Sequence, residues 1–224
     1  MRNKWMAVAA ALAASLVVTA VASAGGATAR GANAMGHGSR AVMTAGDLRV
    51  ALDQLLGEHA ILAMNATNLG VTGSKAFPAA AKALDANSVA LSKTIGSVYG
   101  QKAGNTFLNG KFMWRDHIRF FVDYTVALAK KDKAGQAKAV ANLKTYTVKF
   151  GDFLAGATGL PKAAVRNDLL GHVLELKEQL DAYAAGKYAR AASLYHAAYN
   201  HMFMTGDLLA GAIAKQFPSK FPAQ

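Results

Sequence analysis

The chain has 224 residues, 53% of them hydrophobic, 17% charged and 8% aromatic, with 4 prolines and no cysteine. It is far too apolar to stay disordered, and its alanine-rich, aromatic-poor make-up argues for closely packed helices against a sandwich of short strands. The missing cysteines exclude a disulfide framework, a thiolate zinc site, an iron–sulfur cluster and a cysteine nucleophile, so any metal must be held by His, Met, Asp or Glu. The net charge of +12 predicts a weak attraction to anionic cell-surface polymers. Nucleic acid is not an expected partner, because the lysines are scattered and no basic groove interleaved with aromatics appears.

Residues 1–24 read as a secretory signal peptide, with Arg2 and Lys4 at the start, an apolar stretch from Trp5 to Ala22 and a small-x-small site at Ala22-Ser23-Ala24. That stretch of 18 residues is at the lower limit for spanning a bilayer, and cleavage leaves no stable membrane span. The expected location is secreted or extracytoplasmic, in association with the cell envelope or free of it. Residues 25–43 are rich in Gly, Ala, Ser and Asn without periodicity and read as a flexible linker, with His37 as a linker residue. The folded domain is expected over residues 44–224.

From Gly46 onward apolar residues recur at helical spacing. Asp47 caps a first helix carrying Leu48, Leu52, Leu55, Leu62 and Ala66, which ends at Gly70 to Gly73. A second helix carries Phe77, Pro78 in its first turn, Leu84, Leu91 and Ile95, and ends at Gly100. The third carries Phe107, Met113, Phe120, Tyr124 and Leu128, and the fourth Val140, Leu143, Tyr146, Phe150 and Phe153. Leu160-Pro161 opens a fifth helix with Val165, Leu169, Leu176 and Leu180, closed by Gly186. The sixth runs from Tyr188 to Phe217-Pro218. The predicted fold is all-α, an up-down bundle of six helices in three antiparallel hairpins.

The hairpins look related to one another. His59, His117 and His172 each sit midway along the first helix of a hairpin, at a repeat of roughly 55 residues, and each lies about four turns before its bend at Gly73, Asp132 or Gly186. First helices of successive hairpins run parallel, so residues equally far from the bend share one depth. All three histidines lie on the apolar stripe of their helix. Counting from Gly186 places His201 across the hairpin from His172, a fourth member of the layer. His196 falls on another face, as surface or packing.

Four imidazoles at one depth in an apolar interior need donors and acceptors, and a shared metal satisfies several at once. Met202 and Met204 flank His201, Met64 follows His59 and Met113 precedes His117; imidazole with thioether favours copper over zinc or iron. Glu58 and Asp116 are further candidate ligands, although the Glu-x-x-His pairs of a di-iron bundle are absent. The candidate metal set is therefore His59, His117, His172, His201, Met202, Met204, Glu58 and Asp116. The alternative is a structural or interaction module in which the histidines form a buried network with Glu58, Asp116, Asn87, Tyr124 and Tyr183 and no metal. No nucleophile elbow, phosphate loop or His-Glu-x-x-His motif occurs, so no catalytic residue is assigned and an enzyme would have to work through the metal. Buried neutral histidines should hold pKa values below the ordinary 6.5.

Leu55-Leu56-Gly57-Glu58-His59-Ala60, Ser97-Val98-Tyr99-Gly100, His117 with Phe121-Val122-Asp123-Tyr124, and His201-Met202-Phe203-Met204-Thr205-Gly206-Asp207 resemble a family of secreted bacterial helical domains. The resemblance covers about residues 47–222, and the His-Met-Phe-Met-Thr-Gly run is its most specific part. Members are often labelled copper amine oxidase, being found fused to β-rich domains of copper-amine-oxidase-like N-terminal type. The resemblance implies an exported helical domain with a copper association. It implies no oxidase activity here, since this chain carries neither such a β-rich domain nor a topaquinone tyrosine motif.

Overall fold

The structure, a computed structural model, describes residues 43–223. The expected signal peptide, nearly all of the expected linker and His37 lie outside the described residues. Among the described residues seven helices follow in order: α1 (Ala45–Val71), α2 (Phe77–Tyr99), α3 (Gln101–Asn109), α4 (Trp114–Ala129), α5 (Lys133–Thr158), α6 (Lys162–Ala184) and α7 (Tyr188–Gln216). No strand occurs among the described residues, and no helix there is long and apolar enough to cross a membrane. The fold is the expected all-α bundle of three hairpins, α1 with α2, α4 with α5, and α6 with α7, with α3 as an added short helix.

Two local expectations are corrected. The first helix is capped by Thr44, whose hydroxyl accepts from the Asp47 N–H at 3.1 Å while the Asp47 carboxylate accepts from the Thr44 N–H at 2.8 Å. Asp47 is thus the third residue of a capping box and is itself inside the helix. The third predicted helix is broken in two, with Phe107 on α3 and Met113 as the residue before α4. The break runs through Gly110 and through Phe112, which takes a left-handed φ of 57°. The Asp116 carboxylate accepts from the Phe112 N–H at 2.7 Å, satisfying backbone that the break exposes and fixing where α4 begins. Gly100, at φ 95°, separates α2 from α3; a side chain there would be strained.

α1 is the axis of the bundle, packing against α7, α2, α4 and α6. Its buried positions Leu48, Leu52, Leu56, His59, Ala63, Ala66 and Gly70 recur every three or four residues, and Gly57, Ala60 and Met64 widen that face. Each fully buried leucine contributes about 2 kcal/mol of transfer free energy, so the apolar stripe and not intrinsic propensity holds these helices in register. The first helices of the three hairpins, α1, α4 and α6, also touch one another. That mutual contact sets the depth at which their mid-helix side chains meet.

Candidate metal centre

His59 comes from α1, His117 from α4 and His172 from α6, each on the buried stripe of its helix and at most 4% exposed. One ring nitrogen from each lies within 4.8 Å of the others. The His59 and His117 Nε2 atoms stand 3.3 Å apart, and the ring centroid of His59 is 5.3 Å from that of His117 and 5.9 Å from that of His172. Trp114 closes one side, its ring 4.6 Å from His59 and 4.8 Å from His117, and Tyr146 stacks on His117 at 4.7 Å. Trp114 is itself anchored by its indole N–H, which donates to Ser88 Oγ at 3.2 Å.

Burial dominates the electrostatics of this trio. It pushes His59 and His172 well below 6.5, and neighbouring rings push the same way, since a second charge beside the first is repelled. His117 is driven down to about 3 by burial and by His172; the Trp114 backbone opposes this to a smaller extent but does not reach hydrogen-bond geometry at Nδ1. All three rings are therefore neutral at neutral pH, each with a lone pair to give.

Their hydrogen-bonding capacity is largely unused. His59 Nδ1, His117 Nδ1 and both nitrogens of His172 have no partner in the protein. An orphaned buried polar atom costs about 1–3 kcal/mol, so three such rings in one layer are expensive unless they serve another group. Three neutral imidazoles fit a metal: ligands about 2 Å from a common ion lie roughly 3–4 Å from each other, within rotamer adjustment of the spacing here. A buried three-histidine group that could hold a metal ion is thus present.

The fourth histidine belongs to a different cluster. His201 on α7 is 6.1 Å from His172 between ring centroids, but its Nδ1 lies 2.8 Å from Glu175 Oε2 and its Nε2 3.3 Å from Asp168 Oδ1. The hydroxyl of Thr205 donates to the other Asp168 oxygen at 3.0 Å. The bond to Asp168, reinforced by Glu175 and opposed by burial, raises the His201 pKa to about 9. The expectation of four neutral histidines fails at this residue. With both ring nitrogens donating to carboxylates, His201 has no lone pair to offer a metal.

The remaining predicted ligands do not join the trio. Glu58 accepts from Asn87 at the bundle surface. Asp116 caps the Phe112 backbone and pairs with Arg119. Met204 is 63% exposed, whereas Met202 is buried and shares a cavity wall with His172. The partners expected for a metal-free network are also engaged elsewhere: Asn87 with Leu55 and Glu58, Tyr124 with Asp181, and Tyr183 against Tyr188. His196 is exposed, beside Asn200.

Sequence reasoning missed Asp168 and Glu175 as partners of His201, and Trp114 and Tyr146 as walls of the trio. The signal for the first pair was present, because Asp168, His172 and Glu175 follow one another at i, i+4 and i+7 on α6. Compared with protein families, curated proteins and solved structures, the chain matches none.

Proposed function

We propose that this is an exported metal-binding protein that holds one copper ion, as Cu(I), through His59, His117 and His172, in a binding or sensing role. The observation that carries the reading is the trio of buried neutral imidazoles with four unpartnered ring nitrogens. The donor set speaks for the monovalent ion. The cost of burying an ion grows with the square of its charge, and no carboxylate lies among these ligands to neutralise a divalent one. Imidazole donors are compatible with Cu(I), as is the thioether of Met202, which shares a cavity wall with His172. When bound, copper would supply a redox-capable centre shielded from water. The protein's own part is to keep three rings neutral and oriented, with Trp114 and Tyr146 packed against them. Export is supported by the pattern of residues 1–24.

One observation favours the metal-free alternative: the His59 and His117 Nε2 atoms are close enough to hydrogen-bond each other. Competition titration with a chromophoric Cu(I) chelator separates the readings. The expected result is one Cu(I) per chain, with His172→Ala weakening it by more than about tenfold, or 1.4 kcal/mol. No binding above the chelator's competition limit would leave a buried network as the function of the trio.

A further inference from the structure

A cavity of about 120 Å³ lies inside the bundle, and all seven helices contribute to its wall. His172 of the trio is part of that wall, together with Trp114, Tyr146 and Met202, all buried. Leu52, Leu56, Leu91, Ile95 and Leu209 add an aliphatic stretch. The half-buried wall residues are Tyr99, Ala103, Phe153, Ala157 and Asp168; the others are buried. Tyr99 donates to Gln216 at 2.7 Å and Gln216 donates to the Ala157 carbonyl at 2.8 Å, so Tyr99 and Ala157 frame one mouth, with only methyl groups at Ala103 and Ala157.

Volume and wall chemistry together define what fits. A compact apolar cavity of about 150 Å³ stays dry and takes up a xenon atom or one benzene ring. Here the space is smaller, and its wall extends along α7 from Met202 to Ile213, a run of about 16 Å at 1.5 Å per residue. A chain of that length does not fit such a volume, whereas a molecule of two heavy atoms does. The polar groups on the wall are already engaged. Thr205 donates to Asp168 at 3.0 Å, and the other Asp168 oxygen faces His201 at 3.3 Å. Thr158 donates to the Leu154 carbonyl at 2.7 Å. A buried water needs roughly two to four polar partners and a buried ion still stronger ones, so the wall suits neither. A small uncharged apolar molecule needs none.

We propose that this cavity is a site for an uncharged diatomic gas, admitted at the mouth framed by Tyr99 and Ala157 and held against Trp114, Tyr146 and His172. A gas held there stands beside the trio, so what a copper ion on His172 would sense is a diatomic gas. That last step rests on the copper reading above. The docking of the gas does not, because the apolar wall exists whether or not the histidines hold an ion.

Quenching of Trp114 phosphorescence by dissolved gases tests the docking on the full metal-free chain. Trp114 is one of two tryptophans, so the Trp5→Phe variant makes it the single emitter. Dioxygen is expected to quench it efficiently, whereas acrylamide, larger and polar, does not. Xenon, inert and small enough for the same space, should quench saturably with pressure, which marks a held site. Ala103→Leu combined with Ala157→Leu places larger side chains at the mouth, on half-exposed helical positions that leucine suits. The pair should slow dioxygen quenching about tenfold, an added barrier of about 1.4 kcal/mol. Leu209→Phe, which fills the interior, is the second variant should the first not fold. Equal quenching by acrylamide, xenon quenching that does not saturate, or an unchanged dioxygen rate in a folded narrowed variant overturns the proposal. The sensing step has its own arm: carbon monoxide added to Cu(I)-loaded protein should give the infrared band of bound carbon monoxide, appearing more slowly in the narrowed variant. A loaded protein without that band overturns the sensing step. A chain that binds no Cu(I) overturns it together with the copper reading, and the dioxygen and xenon results then decide the docking alone.

Discussion

His172 and His201 are neighbours across the α6–α7 hairpin, 6.1 Å apart between ring centroids, yet they are driven in opposite directions. His172 faces apolar and aromatic walls and other imidazoles, and burial holds it neutral. His201 faces Asp168 and Glu175, and the two carboxylates hold it charged. The lesson is that depth in the bundle does not decide what a histidine does. The groups opposite its two nitrogens do, and a ring that donates twice is closed to metal while a ring with unpartnered nitrogens is open to it.

The largest effect expected of this contrast is in acid. The unfolded histidines take up protons near pH 6.5 while the folded trio refuses them down to about 3 at His117, so stability is full above 6.5 and falls as pH drops below it. With three such groups the loss approaches about 4 kcal/mol per pH unit. Urea unfolding of the apo protein between pH 7 and pH 5 measures it, and a flat profile would break the comparison by showing that the trio titrates as exposed residues do. Next in size is the stabilisation by Cu(I), about 4 kcal/mol at a thousandfold excess over Kd. Thermal melts should show it disappear in His117→Ala and persist in His201→Gln; a loss in the second variant would put His201 back among the ligands.

Removing one carboxylate should cost less, because His201 keeps a partner and is 12% exposed. Asp168→Asn is expected to destabilise by about 2 kcal/mol and to bring the His201 pKa down. It should also shrink the alkaline limb of the stability profile, which Glu175 alone then sustains: a pKa raised to about 9 gives stability that is full below 6.5 and lost as pH rises through about 9. An unchanged alkaline limb in this variant would mean that Asp168 does not charge the ring. The smallest effect belongs to Gly171, whose absent side chain lets His201 sit close. A Cβ there would stand 3.0 Å from His201 Cε1. Gly171→Ala gains about 1 kcal/mol of helix propensity and spends much of it displacing the ring. The expected readout is a lower His201 pKa with nearly unchanged stability, followed by NMR.

The bundle and the depth of the trio were legible in the sequence because both follow from period and count. Apolar residues at 3.6 spacing define the helices, and equal distances from Gly73, Asp132 and Gly186 carry His59, His117 and His172 to one level when α1, α4 and α6 run side by side. The same count carried His201 to that level and no further, since counting says nothing of which way a ring faces or of what stands opposite. The stripe Asp168, His172, Glu175 held that information, but carboxylates on an apolar stripe read equally well as its solvated edge. The break before α4 was hidden because the apolar spacing from Phe107 to Phe120 continues through it, while what stops the helix is a left-handed Phe112 held by Asp116. Thr44 was missed as a cap because the reciprocal residue of its capping box is Asp47, itself a good cap in isolation.

Side-chain ¹⁵N NMR of the histidines, in apo and Cu(I)-loaded protein from pH 5 to pH 8, tests the central claim most directly, Cu(I) being diamagnetic. The account predicts that His59, His117 and His172 remain neutral throughout and that their signals move when Cu(I) is added. His201 remains doubly protonated throughout and does not respond to the metal. A trio that protonates near pH 6.5, or a His201 whose nitrogens shift with Cu(I), would contradict it.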